Sequence, residues 1–283
     1  MYMVYITGDT HGDFNRVIEF QRKMHLTKQD TLIILGDAGI NYSGNMRDVD
    51  CKEFLSTFPF TIFCIHGNHE MRPTDVMGYT TKEYCGGTVY YEEDYPNILF
   101  AKDGEIYNLD GFKCLVIGGA YSVDKWHRVL SAYNRIHFMC PDLLSAEEYE
   151  RALMMLRGQI NDTDGSICKS LEKVIAMLPK NGYGWFESEQ PSDEIKAYVE
   201  SQIAKVDNTV DIVLSHTCPL KYEPTEVFLS GLDQSSVDKS TEEWMNKIES
   251  ILSYKRWFCG HFHTIKKIDK MQFMFEDFDI LHD

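Results

Sequence analysis

Met3-Val4-Tyr5-Ile6-Thr7-Gly8-Asp9-Thr10-His11-Gly12 is an apolar run that closes in a polar cluster, and this arrangement recurs along the chain. Thr31-Leu32-Ile33-Ile34-Leu35 precedes Gly36-Asp37, and Thr61-Ile62-Phe63-Cys64-Ile65 leads to Gly67-Asn68-His69-Glu70. Asp211-Ile212-Val213-Leu214 runs into Ser215-His216, and Arg256-Trp257-Phe258-Cys259 into Gly260-His261-Phe262-His263. Short runs rich in β-branched and aromatic residues, bounded by glycine or a polar turn, read as buried strands. A strand that ends in Asp, Asn or His delivers that side chain to one edge of a sheet, where α/β proteins place their sites. Five such deliveries with only oxygen and nitrogen donors point to a metal centre with more than one ion. Carboxylate and imidazole suit Mn, Fe and Zn, whereas a thiolate-rich set suits softer metals or clusters. In extended backbone residues i and i+2 point the same way, so Asp9 with His11, and His261 with His263, are expected to face one site.

The ordered set Asp-x-His, Gly-Asp, Gly-Asn-His-Glu, a lone His and Gly-His-x-His resembles the calcineurin-like metallophosphoesterase superfamily. The blocks span nearly the whole chain, from Asp9 to His263. The resemblance implies an α/β fold of two packed mixed β-sheets flanked by helices. It also implies a hydrolase of phosphate esters with two divalent metal ions, Mn first and Fe or Zn as alternatives. Carried across, one metal is held by Asp9, His11 and His263, the second by Asn68, His216 and His261, with Asp37 bridging. Two cations about 3.5–4 Å apart clamp a phosphoryl group and lower the pKa of a bound water, so that hydroxide attacks phosphorus. His69 is expected to face the substrate as general acid to the leaving oxygen, or to stabilise the transition state by hydrogen bonding.

Phosphoryl transfer also calls for positive charge on the non-bridging oxygens. The Ser/Thr phosphatase branch of the superfamily carries an Arg shortly after its second Asp. Here Gly36-Asp37-Ala38-Gly39-Ile40-Asn41-Tyr42 has none before Arg47. Arg72, Lys125 and Arg128 are the candidate replacements, the last two in the segment Gly118 to Arg128, which opens on Gly118-Gly119-Ala120 and is similar to one in some bacterial and phage members. Glycines after a buried strand also permit close backbone approach to a ligand. Asp13, ahead of the amphipathic run Phe14 to Met24, reads as a helix cap.

The 283 residues carry 28 basic and 44 acidic side chains, a net charge of −16 that makes long nucleic acid a poor partner. The eight cysteines are scattered without a Cys-x-x-Cys pair and several lie inside apolar runs, as expected of a reducing cytoplasm. The N-terminus shows no signal-peptide pattern, and nothing approaches the roughly 18 apolar residues of a membrane-spanning helix.

Residues 1 to about 70 follow a β-α-β-α-β order, with helices at Phe14 to Met24 and Met46 to Phe58. Successive strands between 71 and 120 suggest a second sheet packed on the first, with Asp110-Gly111 a strong two-residue hairpin turn. Helices are expected over Ser145 to Arg157, where Ser145-Ala146-Glu147-Glu148 forms a capping box, Asp164 to Met177, Ser192 to Val206 and Thr241 to Leu252. Thr264 to Phe278 reads as a hairpin turning at Asp269-Lys270. The chain is read as a single domain, 1–283. A helical cap or insertion is expected at about 121–190, with an oligomerisation element as its alternative, and Lys180 to Phe186 a loop able to reach substrate. Oligomeric state and the choice between monoester and small diester substrates stay open. The competing reading is a non-catalytic scaffold of the same fold; such scaffolds lose ligands or the catalytic histidine, and this chain keeps both.

Overall fold

The computed structural model describes residues 3–178, 184–228, 234 and 237–281. The apolar runs become the strands β1 (Val4–Thr7), β2 (Thr31–Ile34), β3 (Thr61–Cys64), β9 (Ile212–Ser215) and β10 (Arg256–Cys259). β4 (Thr80–Tyr84), β5 (Gly87–Tyr91), β6 (Ile98–Ala101), β7 (Ile106–Leu109) and β8 (Phe112–Ile117) lie between them in sequence. β11 (Lys266–Ile268), β12 (Met271–Phe273) and β13 (Phe278–Ile280) close the chain. One sheet runs β13-β1-β2-β3-β6-β5-β4 and the other β11-β12-β10-β9-β8-β7. Within the first, β1, β2, β3 and β6 are parallel neighbours; within the second, β8, β9, β10 and β12 are. Parallel pairing brings the C-terminal ends of the motif-bearing strands in each sheet to a common edge.

Alternation along each strand divides the core. Val4, Ile6, Ile33 and Phe63 meet Val116, Ile212, Leu214 and Phe258 between the sheets. Tyr5, Leu32, Ile34 and Ile62 turn outward onto helices α1 (Asn15–Met24) and α2 (Met46–Ser56). Ile117, Val213 and Trp257 turn outward onto α6 (Asp193–Lys205) and α7 (Ser240–Ile251). Strands covered on both faces are apolar at nearly every position, which is why these runs were legible without period-two alternation. The result is the four-layer α/β sandwich implied by the sequence motifs.

Three helices make a further, separate core: α3 (Lys125–Ile136), α4 (Ala146–Leu156) and α5 (Ser166–Ile175) bury Val129, Leu130, Tyr133, Leu171 and Val174 against one another. The Ser145 capping box is present in full. Asp13 Oδ1 accepts from Asn15 N at 3.0 Å at the start of α1. Asp110-Gly111 forms the two-residue turn between β7 and β8, both residues at positive φ, and Asp269-Lys270 joins β11 to β12.

Three features differ from expectation. The strands of 71–120 do not all form a second sheet: β4, β5 and β6 extend the first, because the fully buried β6 pairs parallel to β3, and only β7 and β8 enter the second. α3 falls inside the helical insertion expected at about 121–190, but no individual helix was placed there; it has no side-chain cap, although Val129, Leu130, Tyr133 and Ile136 stand at helical spacing. After the terminal hairpin, β13 crosses back to pair antiparallel with β1. Most of the Lys180 to Phe186 loop and His282 lie outside the described residues.

Candidate metal centre

The five polar clusters converge. Asp9 and His11 follow β1, Asp37 follows β2, Asn68 and His69 follow β3, His216 follows β9, and His261 and His263 follow β10. The ligand atoms of Asp9, His11 and His263 lie within 4.8 Å of one another, as do those of Asp9, Asp37 and His216. His263 Nε2 is 2.9 Å from His11 Nε2 and 3.3 Å from Asp9 Oδ2. On the other side, Asn68 Oδ1 is 2.7 Å from His216 Nε2 and 3.1 Å from His261 Nδ1. Asp37 Oδ2 stands between the two groups, 3.9 Å from His11 Nε2 and 3.6 Å from His216 Nε2.

The backbone reaches this arrangement through turns rather than extended chain. β1 ends at Thr7 and β10 at Cys259, and His11, Asp37, His261 and His263 all adopt left-handed backbone, with φ of 47°, 49°, 66° and 47°. Such conformations are costly for non-glycine residues and persist where the surroundings over-determine them. One consequence corrects the extended-strand expectation: His261 and His263 part, one toward Asn68 and the other toward Asp9. The turns are pinned by backbone bonds, His11 N donating to Asp37 O at 2.8 Å and Gly260 N to His216 O at 2.9 Å. Gly36, at φ +93°, admits no side chain because a Cβ there would enter the His216 ring; at Gly67 it would strike Asp37.

The donor set fits cations. His216 Nδ1 faces Leu35 O at 2.8 Å and gives that carbonyl its proton, so Nε2 presents a lone pair unless the ring carries a second proton. That lone pair meets Asn68 Oδ1, itself an acceptor, whose orientation is fixed because Asn68 Nδ2 donates to Ser122 Oγ at 2.9 Å. Two acceptors at this separation need a cation or an extra proton between them. Charge within the cluster points the same way. Burial works to raise Asp9, but its bond to His263 and the neighbouring histidines hold it below the usual carboxylate range. Burial raises Asp37, which adjoins Asp9, and pushes His261 down to about 3.

His69 stands beside this cluster. Its backbone N donates to Asp37 Oδ1 at 2.7 Å, while its ring lies against Arg128, with Arg128 Nη2 2.9 Å from Nδ1. Burial first and the Arg128 charge second push His69 down to about 2. Arg donates only, so a ring nitrogen accepts from it; Nη2 is 2.9 Å from Nδ1 and 3.2 Å from Nε2, and the nearer contact favours Nδ1 as acceptor with the proton on Nε2. Asp124 Oδ1 lies 3.9 Å from that nitrogen.

The three candidate cations part company. Arg128, on α3, is brought to His69 and held by Asp124 Oδ2 at 2.7 Å, Tyr42 Oη at 3.2 Å and Gly184 O at 2.5 Å. Arg72 is buried elsewhere, paired with Asp103 Oδ2 at 2.5 Å and donating through Nε to Ser188 O at 2.9 Å. Lys125 lies against Trp126 and Trp185, 4.7 Å from each ring centroid. The Gly118-Gly119-Ala120 segment serves the centre at one remove: it leads to Ser122, which fixes Asn68 and whose own N donates to Glu189 Oε1 at 3.2 Å. Ser122, Glu189, Tyr42 and Asp124 were missed from sequence. Only the serine gave a signal, by following the glycine turn after a buried strand.

The sequence matches the calcineurin-like phosphoesterase family over residues 2–264. No curated protein matches it. Among solved structures, a protein of unknown function from Aquifex aeolicus aligns at 18% identity and a TM-score of 0.20, over 32% of this chain and 60% of its own. This chain therefore spans less than two thirds of that relative's length. A serine/threonine phosphatase from Saccharomyces cerevisiae aligns at 13% identity and a TM-score of 0.29, over 97% of this chain and 67% of its own.

Proposed function

The chain belongs to the calcineurin-like phosphoesterase family, and we propose that it hydrolyses small phosphate esters with two divalent cations, manganese first. The observation that carries this is the placing of Asp37 Oδ2 between two donor groups, 3.9 Å from His11 and 3.6 Å from His216. Asp9, His11 and His263 would hold one cation and Asn68, His216 and His261 the other, with Asp37 shared. When bound, such a pair supplies charge to the phosphoryl oxygens and lowers the pKa of the attacking water.

The chain's own residues do the rest. A neutral His69 donates its Nε2 proton as a hydrogen bond toward the leaving oxygen, stabilising charge that develops there. Its depressed pKa favours this over transfer from a preformed imidazolium. Arg128 fixes the ring. Of the five N–H bonds of a guanidinium, Nε and Nη1 spend theirs on Asp124, Tyr42 and Gly184, and Nη2 spends one on His69. One N–H remains for a non-bridging oxygen of the substrate. The helices of 121–190 then act as a cap that carries Arg128 to the centre. Cysteines at Cys64, Cys114, Cys218 and Cys259 are buried thiols, which supports a reducing, cytoplasmic setting.

The test is hydrolysis of a chromogenic phosphomonoester and a bis-aryl diester by chelator-treated protein before and after manganese is returned. Activity lost on chelation and restored by manganese is expected. Two bound ions with no hydrolysis of either ester would favour the scaffold reading.

A further inference from the structure

Beside the cluster lies a cavity of about 360 Å³, floored by Asp37, Asn68, His69, His261 and His263. This volume is at the small end of sites that enclose a small-molecule ligand. Its walls are of two kinds. Tyr121, Val123, Phe228 and Phe262 give it an apolar, largely aromatic side. The Phe228 and Phe262 rings lie nearly parallel, 17° apart with centroids at 6.3 Å, and Phe262 is braced edge-on by Phe273 at 5.8 Å.

The charged side is acidic. Asp124, Glu223, Glu242 and Lys239 are the charged residues there outside the ligand cluster, among the described residues. The single ammonium is already spent: Lys239 Nζ is 2.6 Å from Glu223 Oε2 and lies 5.2 Å over the Phe228 ring. Asp124 is paired with Arg128. Glu242 is buried and accepts from Thr217 Oγ1 at 2.8 Å. A second phosphate on the leaving group would therefore find acidic side chains and, among the described residues lining the cavity, no unpaired cation, whereas a flat neutral ring would find stacking surfaces and hydrogen-bond acceptors.

We propose that this cavity receives the leaving group, and that it selects phosphomonoesters of uncharged, flat, ring-bearing alcohols, in chemical class nucleoside monophosphates. Esters whose leaving group lacks a ring or carries a further phosphate are disfavoured. The inference rests on the phosphoesterase reading above. Phe228 is the specificity-determining residue most separable from the metal ligands, since Phe262 is flanked by His261 and His263. Base-on-aromatic stacking of this kind discriminates by about tenfold to a hundredfold.

The experiment compares kcat/KM of the manganese-loaded enzyme on adenosine 5′-monophosphate and ribose 5-phosphate. Both release the same primary alcohol position and differ only in the base, so leaving-group chemistry cancels. The nucleotide is expected to be favoured by about tenfold to a hundredfold, and adenosine 3′,5′-bisphosphate to lose its 5′-phosphate more slowly than the monophosphate. In Phe228→Ala the nucleotide-to-ribose ratio should fall about tenfold, and Phe228→Tyr should restore it. A wild-type ratio at or below one overturns the proposal whether or not the variant folds. So does faster loss of the 5′-phosphate from adenosine 3′,5′-bisphosphate than from the monophosphate. A chromogenic aryl phosphate is run alongside: if it too is untouched, the phosphoesterase reading itself fails, and this inference with it.

Discussion

The ligand cluster and the helical segment of α3, α4 and α5 differ in what holds their side chains. In the cluster each side chain leaves a short turn after a buried strand, and the turn is pinned to the next strand by backbone bonds such as His11 N to Asp37 O. Its backbone is left-handed at four candidate ligands, so its geometry is set by the sheets before any substrate arrives. Arg128 instead rides on α3, which packs through a core of its own, and is aimed by side-chain bonds to Asp124 and Tyr42. The sheets thus fix where the ions would sit, while the helical layer sets how His69 is presented. Damage to the second region should leave the first intact.

Removing His69 tests the boundary between the two regions most severely. His69→Ala is expected to lower turnover by about 10²–10⁴ with both ions retained, and by less on esters with very good leaving groups. A variant that loses metal would move His69 into the ligand set, where the proximity of His11, Asp37 and His69 also allows it.

Arg128→Ala should cost less, about tenfold to a hundredfold, the worth of one charge-assisted hydrogen bond. Monoesters should suffer more than diesters, because the dianion offers more charge to a guanidinium. The variant also has a pH signature. The Arg128 charge helps to depress His69, so its removal raises the histidine toward its ordinary value. Protonation of His69 should then occur at a higher pH than in the wild type, while burial still holds it below the ordinary histidine value. An NMR titration of metal-free protein reads this; an unmoved His69 resonance would show that burial alone sets its pKa.

Arg72→Ala probes the sheet side. Its partner Asp103 would be left buried without a counter-charge, a loss of about 3–5 kcal/mol in stability by urea denaturation. Activity per folded molecule should change little, and equally on monoester and diester. Unchanged stability with a selective loss on monoesters would instead put Arg72 at the substrate.

The same contrast explains what was legible in the sequence. Strands buried on both faces leave continuous apolar runs, and ligands after them leave motifs, so β1, β2, β3, β9, β10 and the candidate ligands could be read together. The polar edge strand Thr80–Tyr84 is partly exposed along its length and leaves no such run. Ser122, Glu189 and Tyr42 act through contacts between residues as far apart as 86 positions, as for Tyr42 with Arg128, and no local pattern records those. Arg72 and Arg128 looked equivalent in sequence; only packing separates a buried ion pair from a residue that touches His69.

In the proposed centre one carboxylate, that of Asp37, serves both donor groups. The direct measurement is the metal content of wild type and Asp37→Asn after dialysis against manganese and then metal-free buffer. Two ions per chain are expected in the wild type, with both sites weakened together in the variant, because Asp37 Oδ2 faces His11 and His216 at nearly equal distances. Two ions still tightly held by Asp37→Asn, or a single ion in the wild type, would contradict it.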